Sequence, residues 1–380
     1  MKAIYMDYAA TTPVHEEVIE TMTKAYKSLF GNPSSIHSYG REARKYVDQA
    51  RRSISRNIGA DEREIIFTSG GTEANNLAII GTALAYKGKG NHIITTEIEH
   101  HAVLRAVEFL ERNGFQVTYL PVDKKGRISI QDLENAIKDE TILVSVMYVN
   151  NETGVLQPIK EISELIKEKD IIFHTDAVQA MGTLPINVET LSVDLLTASA
   201  HKINGPKGIG FLYVREGVHL ESQLFGGEQE RKRRAGTENV THILGFEKAM
   251  ELATVEQNDR NKTYAHLKHT FLDELKNKGV SFEINGDETF IVPTIVNISF
   301  PNINVETMLT NLDLEGVAAS SGSACTAGSV EPSHVLVSMF GEEDERTVNS
   351  IRFSFGMNQT EEMMKEAAGK ISKIVQRLTK

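Results

Sequence analysis

Short apolar runs alternate with stretches of helical period over the first two thirds of the chain. Ile65-Ile66-Phe67 precedes a helix beginning near Thr72, and His92 to Thr95 is followed by a helix from about His101 to Arg112. Val117 to Leu120, Ile142 to Val149, Ile171 to His174, Leu195 to Thr197 and Ile209 to Val214 also read as strands. Most of these are continuous apolar runs, the pattern of strands covered on both faces. Strands alternating with helices predict an α/β fold with a mainly parallel sheet flanked by helices. The pattern changes near residue 258. Asn239 to Gly279 reads as a long helical stretch of one or two helices, followed by a strand Ile295 to Phe300, a short helix from Val305 and a strand Ser350 to Phe355. A last helix starts near Thr360, with Met364, Ala367, Ile371, Ile374 or Val375, and Leu378 on one face. This second part reads as a smaller α+β domain.

Composition narrows the class. A chain of 380 residues exceeds what one compact core usually holds, which agrees with a large and a small domain. The net charge of −11 argues against coating nucleic acid or an anionic membrane. A single cysteine permits no disulfide within the chain and suits a reducing cytosol. The first residues lack an apolar core of signal-peptide length, and the longest apolar run, Ile142 to Val149, is too short to span a bilayer. A cytoplasmic protein is expected.

Several positions carry candidate chemistry. Lys202, in Ser199-Ala200-His201-Lys202, lies between a strand and the glycine-containing turn Asn204 to Gly208. An amine that captures an aldehyde must be neutral, and at an ordinary lysine pKa only about one in ~2,500 is so at pH 7. Burial beside other cations would raise that fraction; a solvated lysine is the plainer alternative. Asp176 ends a strand in His174-Thr175-Asp176-Ala177-Val178-Gln179. An aspartate there can keep a pyridine nitrogen protonated, with Gln179 donating to a phenolic oxygen, or can simply cap the next helix. Thr68 to Asn76, with Gly70, Gly71 and Thr72, offers a glycine turn opening a helix, suited to phosphate or to an ordinary helix start. It is neither a Walker motif nor a dinucleotide fingerprint. His100 and His101 are adjacent and do not face one another, so they do not form a metal pair. One of them can stack on a flat ring or be a satisfied structural histidine.

Cys325 stands in Ser320-Ser321-Gly322-Ser323-Ala324-Cys325-Thr326-Ala327-Gly328-Ser329, a small, polar stretch that predicts a mobile exposed loop, with a thiol that is either reactive or inert. Arg231-Lys232-Arg233-Arg234 is either a solvated loop or an anion contact, and Asn150-Asn151-Glu152-Thr153-Gly154 is open to a plain turn reading.

The order of these signals resembles the fold-type-I pyridoxal-phosphate enzymes of the aspartate aminotransferase superfamily. The finer text resembles cysteine desulfurases of the NifS/IscS type, group I. The resemblance is carried by Tyr5 to Pro13, Asn32 to His37, Thr68 to Asn76, Glu99-His100, Val149 to Glu152, His174 to Gln179, Ser199 to Gly210, Arg234 to Asn239, Ser321 to Cys325 and Ile351 to Ser354. It implies pyridoxal 5′-phosphate, held covalently by Lys202, which also moves the Cα proton. It implies Asp176 at the pyridinium, Gln179 at the phenolic oxygen and His100 against the ring. Gly71, Thr72, Ser199 and His201 would hold the phosphate. Thr237 would reach the phosphate of the other subunit of a homodimer. Asn151 and Arg352 would hold the carboxylate of L-cysteine, and Cys325 would take its sulfur as a persulfide, leaving L-alanine.

The implied division is a large domain, 15–258, and a small one, 1–14 with 259–380, carrying the cysteine loop at about 320–331. The implied partners are sulfur acceptors, an iron–sulfur scaffold or a tRNA-thiolating enzyme, with no resident metal although Cys325 could share a cluster transiently with a scaffold. A selenocysteine lyase on the same scaffold and a sulfur-relay protein with slow chemistry remain alternatives. So does a plain aminotransferase, against which the cysteine loop argues.

Overall fold

The computed structural model describes residues 3–322 and 332–379. Its centre is a seven-stranded sheet in the order Ile65–Thr68, Gly210–Val214, Leu195–Ser199, Ile172–Asp176, Thr141–Ser145, His92–Thr96 and Gln116–Leu120. Gly210–Val214 runs antiparallel to both neighbours, and every other adjacent pair is parallel. This is the mainly parallel α/β sheet that the pattern predicts.

All residues of the five middle strands and of Ile65–Thr68 are buried, so none shows a polar face. The strand period of two still operates, because alternate side chains serve two different cores. Ile65, Phe67, Phe173, Leu196, Phe211 and Tyr213 pack with the helices Ser38–Asn57 and Val240–Val255. Ile66, Ile172, Leu195, Leu212 and Val214 pack on the opposite face with Gly71–Tyr86 and His101–Arg112. Each fully buried Ile, Leu or Phe contributes about 1.5–3 kcal/mol, which is what anchors the strand ends at the site.

Ile142 to Val149 is not one strand. The strand is Thr141–Ser145. Val146 N and Tyr148 N still donate to His174 O and Asp176 O, but Met147 N is taken by the Glu99 carboxylate at 2.8 Å. Met147 packs instead with Ile98, Val335, Leu336 and Met339. The long helical stretch resolves into two helices, Val240–Val255 and Gln257–Asn277.

A second core gathers the last third of the chain. An antiparallel sheet, Ser350–Ser354, Ile295–Ser299 and Glu283–Asn285, lies with Gln257–Asn277 and Glu361–Leu378. Thr360 caps the last helix by accepting from Met363 N, and Met364, Ala367, Ile371, Ile374 and Val375 are all buried. Ile4 and Met6 belong to this core, and Ile4–Tyr5 pairs in parallel with Val317–Ala318.

Candidate active site

The strands Ile172–Asp176 and Leu195–Ser199 end at one side of a cavity of about 350 Å³. Ligands of open α/β sheets sit in such a crevice beyond the carboxyl ends of the strands. Gly71, Thr72, His100, Asn151, Asp176, Gln179, Ser199, His201, Lys202 and Arg352 all line it. Ten of the residues proposed from sequence thus converge from six separate segments. Thr237 does not line this cavity and is exposed. Cys325 lies outside the described residues.

The floor is buried and hydrogen-bonded. Asp176 is 6% exposed; Asn75 Nδ2 donates to its Oδ2 at 2.7 Å and Val178 N to its Oδ1 at 2.9 Å. Both bonds aim the carboxylate and lower the cost of burying it. Lys202 lies in the turn Ala200–Lys202 just beyond the strand. Its Nζ donates to Ala9 O at 2.5 Å and Ala10 O at 2.8 Å, while Gln179 Nε2 donates to Ala9 O at 2.8 Å. His100 caps the helix His101–Arg112 by accepting from Ala102 N at Nδ1, 3.1 Å. Burial pulls its pKa down, with Lys202 and His334 adding and Asp176 opposing. A neutral ring suits stacking on an aromatic face. His201 faces Thr11 Oγ1 at 3.2 Å, and burial with Lys202 and Lys207 brings its pKa to about 4.

At the first turn of Gly71–Tyr86, the residue before the helix is Gly70, with φ 150°, and no side chain caps the helix. A Cβ on Gly71 would come 3.0 Å from Val178 Cγ2, so glycine keeps the approach open. An uncapped helix start with Thr72 and Ser199 nearby is a natural anion cradle. Glu73, the acidic residue of that turn, is turned away from this role: Arg234 holds it with two bonds, 2.7 and 3.1 Å. Arg234 therefore contacts an anion of its own chain. The anionic cradle, the carboxylate at Asp176, the amine at Lys202 and the neutral ring of His100 together fit a phosphorylated pyridine aldehyde. Among the described residues no cluster of three or more His, Cys, Asp or Glu could hold a metal ion.

The rim joins the two cores. Arg352, on the strand Ser350–Ser354, donates from Nη1 to Asn151 O at 2.9 Å and from Nη2 to Asp7 Oδ1 at 2.8 Å. Its Nε is buried without a hydrogen-bond partner among the described residues. A carboxylate arriving from the cavity would satisfy that donor.

Asn75, Asp7 and Glu99 were missed by the sequence reading. Asn75 was inside the quoted glycine-turn segment, and a polar residue on a helix buried almost all round was its only signal. Glu99 is fully buried, and desolvation, with a push from Asp176, raises its pKa to about 8 despite the bonds from Met147 N and Thr96 Oγ1.

The model of the family described as aminotransferase class-V matches residues 4–366. IscS 1 of Bacillus subtilis (strain 168) is 58% identical over 379 residues, covering 100% of each chain. The cysteine desulfurase IscS of Dictyoglomus turgidum (strain DSM 6724 / Z-1310) is 48% identical over 377 residues, 99% of this chain and 95% of that protein. A solved structure described as a NifS-like protein superposes with a TM-score of 0.93 at 36% identity, covering 99% of this chain and 100% of that one.

Proposed function

The chain belongs to the class-V aminotransferase family, among the cysteine desulfurases of NifS/IscS type, and from that premise we propose that Cys325 takes the sulfur of L-cysteine as a persulfide while the carbon skeleton leaves as L-alanine. The cofactor is pyridoxal 5′-phosphate. When bound, it withdraws electrons from the substrate Cα.

The supporting observation is the convergence on one cavity of Lys202, Asp176 and the Gly71-Thr72 helix start with Arg352, whose buried Nε has no partner among the described residues. Lys202 holds the cofactor and moves the proton at the substrate Cα. Asp176 would keep the pyridine nitrogen protonated, Gln179 would donate to the phenolic oxygen, and His100 would stack on the ring. Gly71, Thr72, Ser199 and His201 hold the phosphate. Arg352 and Asn151 orient the substrate carboxylate. At Cys325 a sulfur–sulfur bond forms as the Cβ–S bond of the substrate breaks. The electron pair of the broken bond stays with the carbon fragment, which takes up protons and leaves. A second thiol then collects the persulfide sulfur.

A shared core of Ile4 and Met6 with Leu267, Phe353 and Ile371 supports a division into 15–258 against 1–14 with 259–380, across which Ala9, Val292 and Ile295 pack into the core of the large sheet. An exposed Thr237 beyond its own cavity supports a homodimer in which Thr237 reaches the partner's phosphate. Among the described residues no helix is long and apolar enough to cross a membrane, and we place the protein in the cytoplasm, feeding an iron–sulfur scaffold or a tRNA-thiolating enzyme.

Mass spectrometry of the holoenzyme after incubation with L-cysteine tests the assignment. Cys325 gains ~32 Da, removable by a thiol reductant, and Cys325→Ser gains nothing and releases almost no alanine. Alanine release by Cys325→Ser at the wild-type rate would overturn it.

A further inference from the structure

Glu152, in the turn that presents Asn151 to the cavity, is 1% exposed, and its carboxylate meets two stretches of chain remote in sequence. Ser333 Oγ donates to Glu152 Oε2 at 2.5 Å. The same hydroxyl caps the helix His334–Phe340 by accepting from Leu336 N at 3.2 Å. Gly322 packs against the same carboxylate so closely that a Cβ on it would overlap Oε2. The turn itself is fixed. Asn150 Oδ1 accepts from Glu152 N at 3.0 Å and Thr153 N at 2.9 Å, and Asn297 Nδ2 donates to Glu152 O at 3.3 Å. Just before Gly322, Ser320 exchanges backbone hydrogen bonds with Arg352. In sequence, Cys325 lies between Gly322 and Ser333.

We propose that Glu152 is a positioning residue for sulfur transfer: one buried carboxylate hydrogen-bonds Ser333 and packs against Gly322, the described flanks of the Cys325 segment, and so seats both on the turn that carries Asn151. The inference rests on Cys325 being the sulfur acceptor. Its chemistry follows from the contacts. A side chain at 322 would have to displace the carboxylate, which fills that space. A hydroxyl is required at 333 because an acceptor oxygen faces it. Seating both flanks beside Asn151 and Arg352 ties the ends of that segment to the place where the substrate carboxylate is held, and misplacement of a reacting group by about 1 Å can cost ~100-fold in rate.

The test compares holoenzymes of wild type, Glu152→Ala, Glu152→Gln, Ser333→Ala, Gly322→Ala and Cys325→Ser. Alanine release at saturating L-cysteine gives kcat, and the cysteine-induced change in cofactor absorbance gives the substrate Kd. Glu152→Ala is expected to lower kcat about tenfold or more with Kd within about twofold. Glu152→Gln, which keeps an acceptor oxygen, falls between it and wild type. Adding Ser333→Ala to Glu152→Ala lowers kcat no further, because both remove the same contact. A Kd that rises as much as kcat falls would mean that Glu152 acts on substrate binding, and would overturn the inference. Wild-type kcat in Ser333→Ala and Gly322→Ala would overturn it too, and these two variants carry the test if Glu152→Ala does not fold. Full activity of Cys325→Ser would instead overturn the reading beneath it.

Discussion

Asp176 and Arg352 face one cavity but are held by different kinds of structure. Asp176 ends a strand in the middle of the seven-stranded sheet, and its hydrogen-bond partners are Asn75, on the helix Gly71–Tyr86 packed on that sheet, and Val178, in the turn that follows its own strand. Arg352 stands on a strand of the smaller sheet. Its partners are Asp7 near the start of the chain, Asn151 from the large sheet's far end and, through its backbone, Ser320. The floor thus keeps a resident group in fixed geometry. The rim gathers pieces from several parts of the chain around a group that comes and goes, and leaves one buried donor, Arg352 Nε, without a partner among the described residues.

This contrast predicts where function breaks. The largest effect is expected at the floor. Lys202→Ala should lower alanine release by about 10³-fold or more, because the proton at Cα loses its carrier. Asp176 and the helix start should still retain cofactor, read as absorbance that survives gel filtration; appreciable turnover would place proton transfer elsewhere. At the rim the effect should be smaller and of another kind. Arg352→Lys should raise KM for L-cysteine about tenfold and change kcat little, since an ammonium cannot replace the planar fork. A fall in kcat with KM unchanged would mean that the rim acts on chemistry, not on binding.

A third effect is on stability rather than on turnover. His174 is buried under the floor, with Nδ1 2.8 Å from Ser145 Oγ and Nε2 3.1 Å from Thr197 Oγ1. Burial holds its pKa at about 3, against 6.5 ordinarily. Below pH 6.5 the unfolded chain takes up a proton that the folded protein refuses. Its contribution is therefore complete above that pH and is lost as pH falls toward 3, by at most about 1.4 kcal/mol per pH unit. His92 and His201, both near pKa 4 through burial, act in the same direction. Melting temperatures between pH 7 and pH 4 should decline accordingly, and His174→Gln should flatten part of the slope.

The reactive residues of the floor were legible in the sequence because each follows a strand end, while the bonds that hold them, Asn75 to Asp176 and Lys202 to Ala9, span 101 and 193 residues. A strand end followed by Asp176, and a strand end followed by Lys202, each sit within a few residues of one another, and a continuous apolar run marks the strand. The rim was legible only at the residues that meet substrate. The contacts that hold them join Arg352 to Asp7 across 345 residues and Ser333 to Glu152 across 181, and no spacing rule reports such pairs. Hydrophobicity also misled once. Val146, Met147 and Val149 are as buried as the strand before them, so the apolar run Ile142 to Val149 reported burial, while the Glu99 carboxylate decided where the ladder stops. The basic run Arg231 to Arg234 offered a solvated loop or a foreign anion, whereas Arg234 grips Glu73.

The pairing of Ile4–Tyr5 with Val317–Ala318 sets a timetable. During synthesis the chain emerges from its start, and the early strand must wait for more than three hundred residues before its neighbour exists. Ala9 and Ala10, whose carbonyls receive Lys202, follow directly on that strand. The sheet and its two flanking layers can form first, but Ala9 N, which donates to Ser354 Oγ at 2.9 Å, gains that partner only when the last third of the polypeptide has arrived. A ribosome-bound fragment ending before residue 317 should therefore carry a folded sheet and an unfinished Lys202 environment, so cofactor capture becomes a late event in the life of the nascent protein.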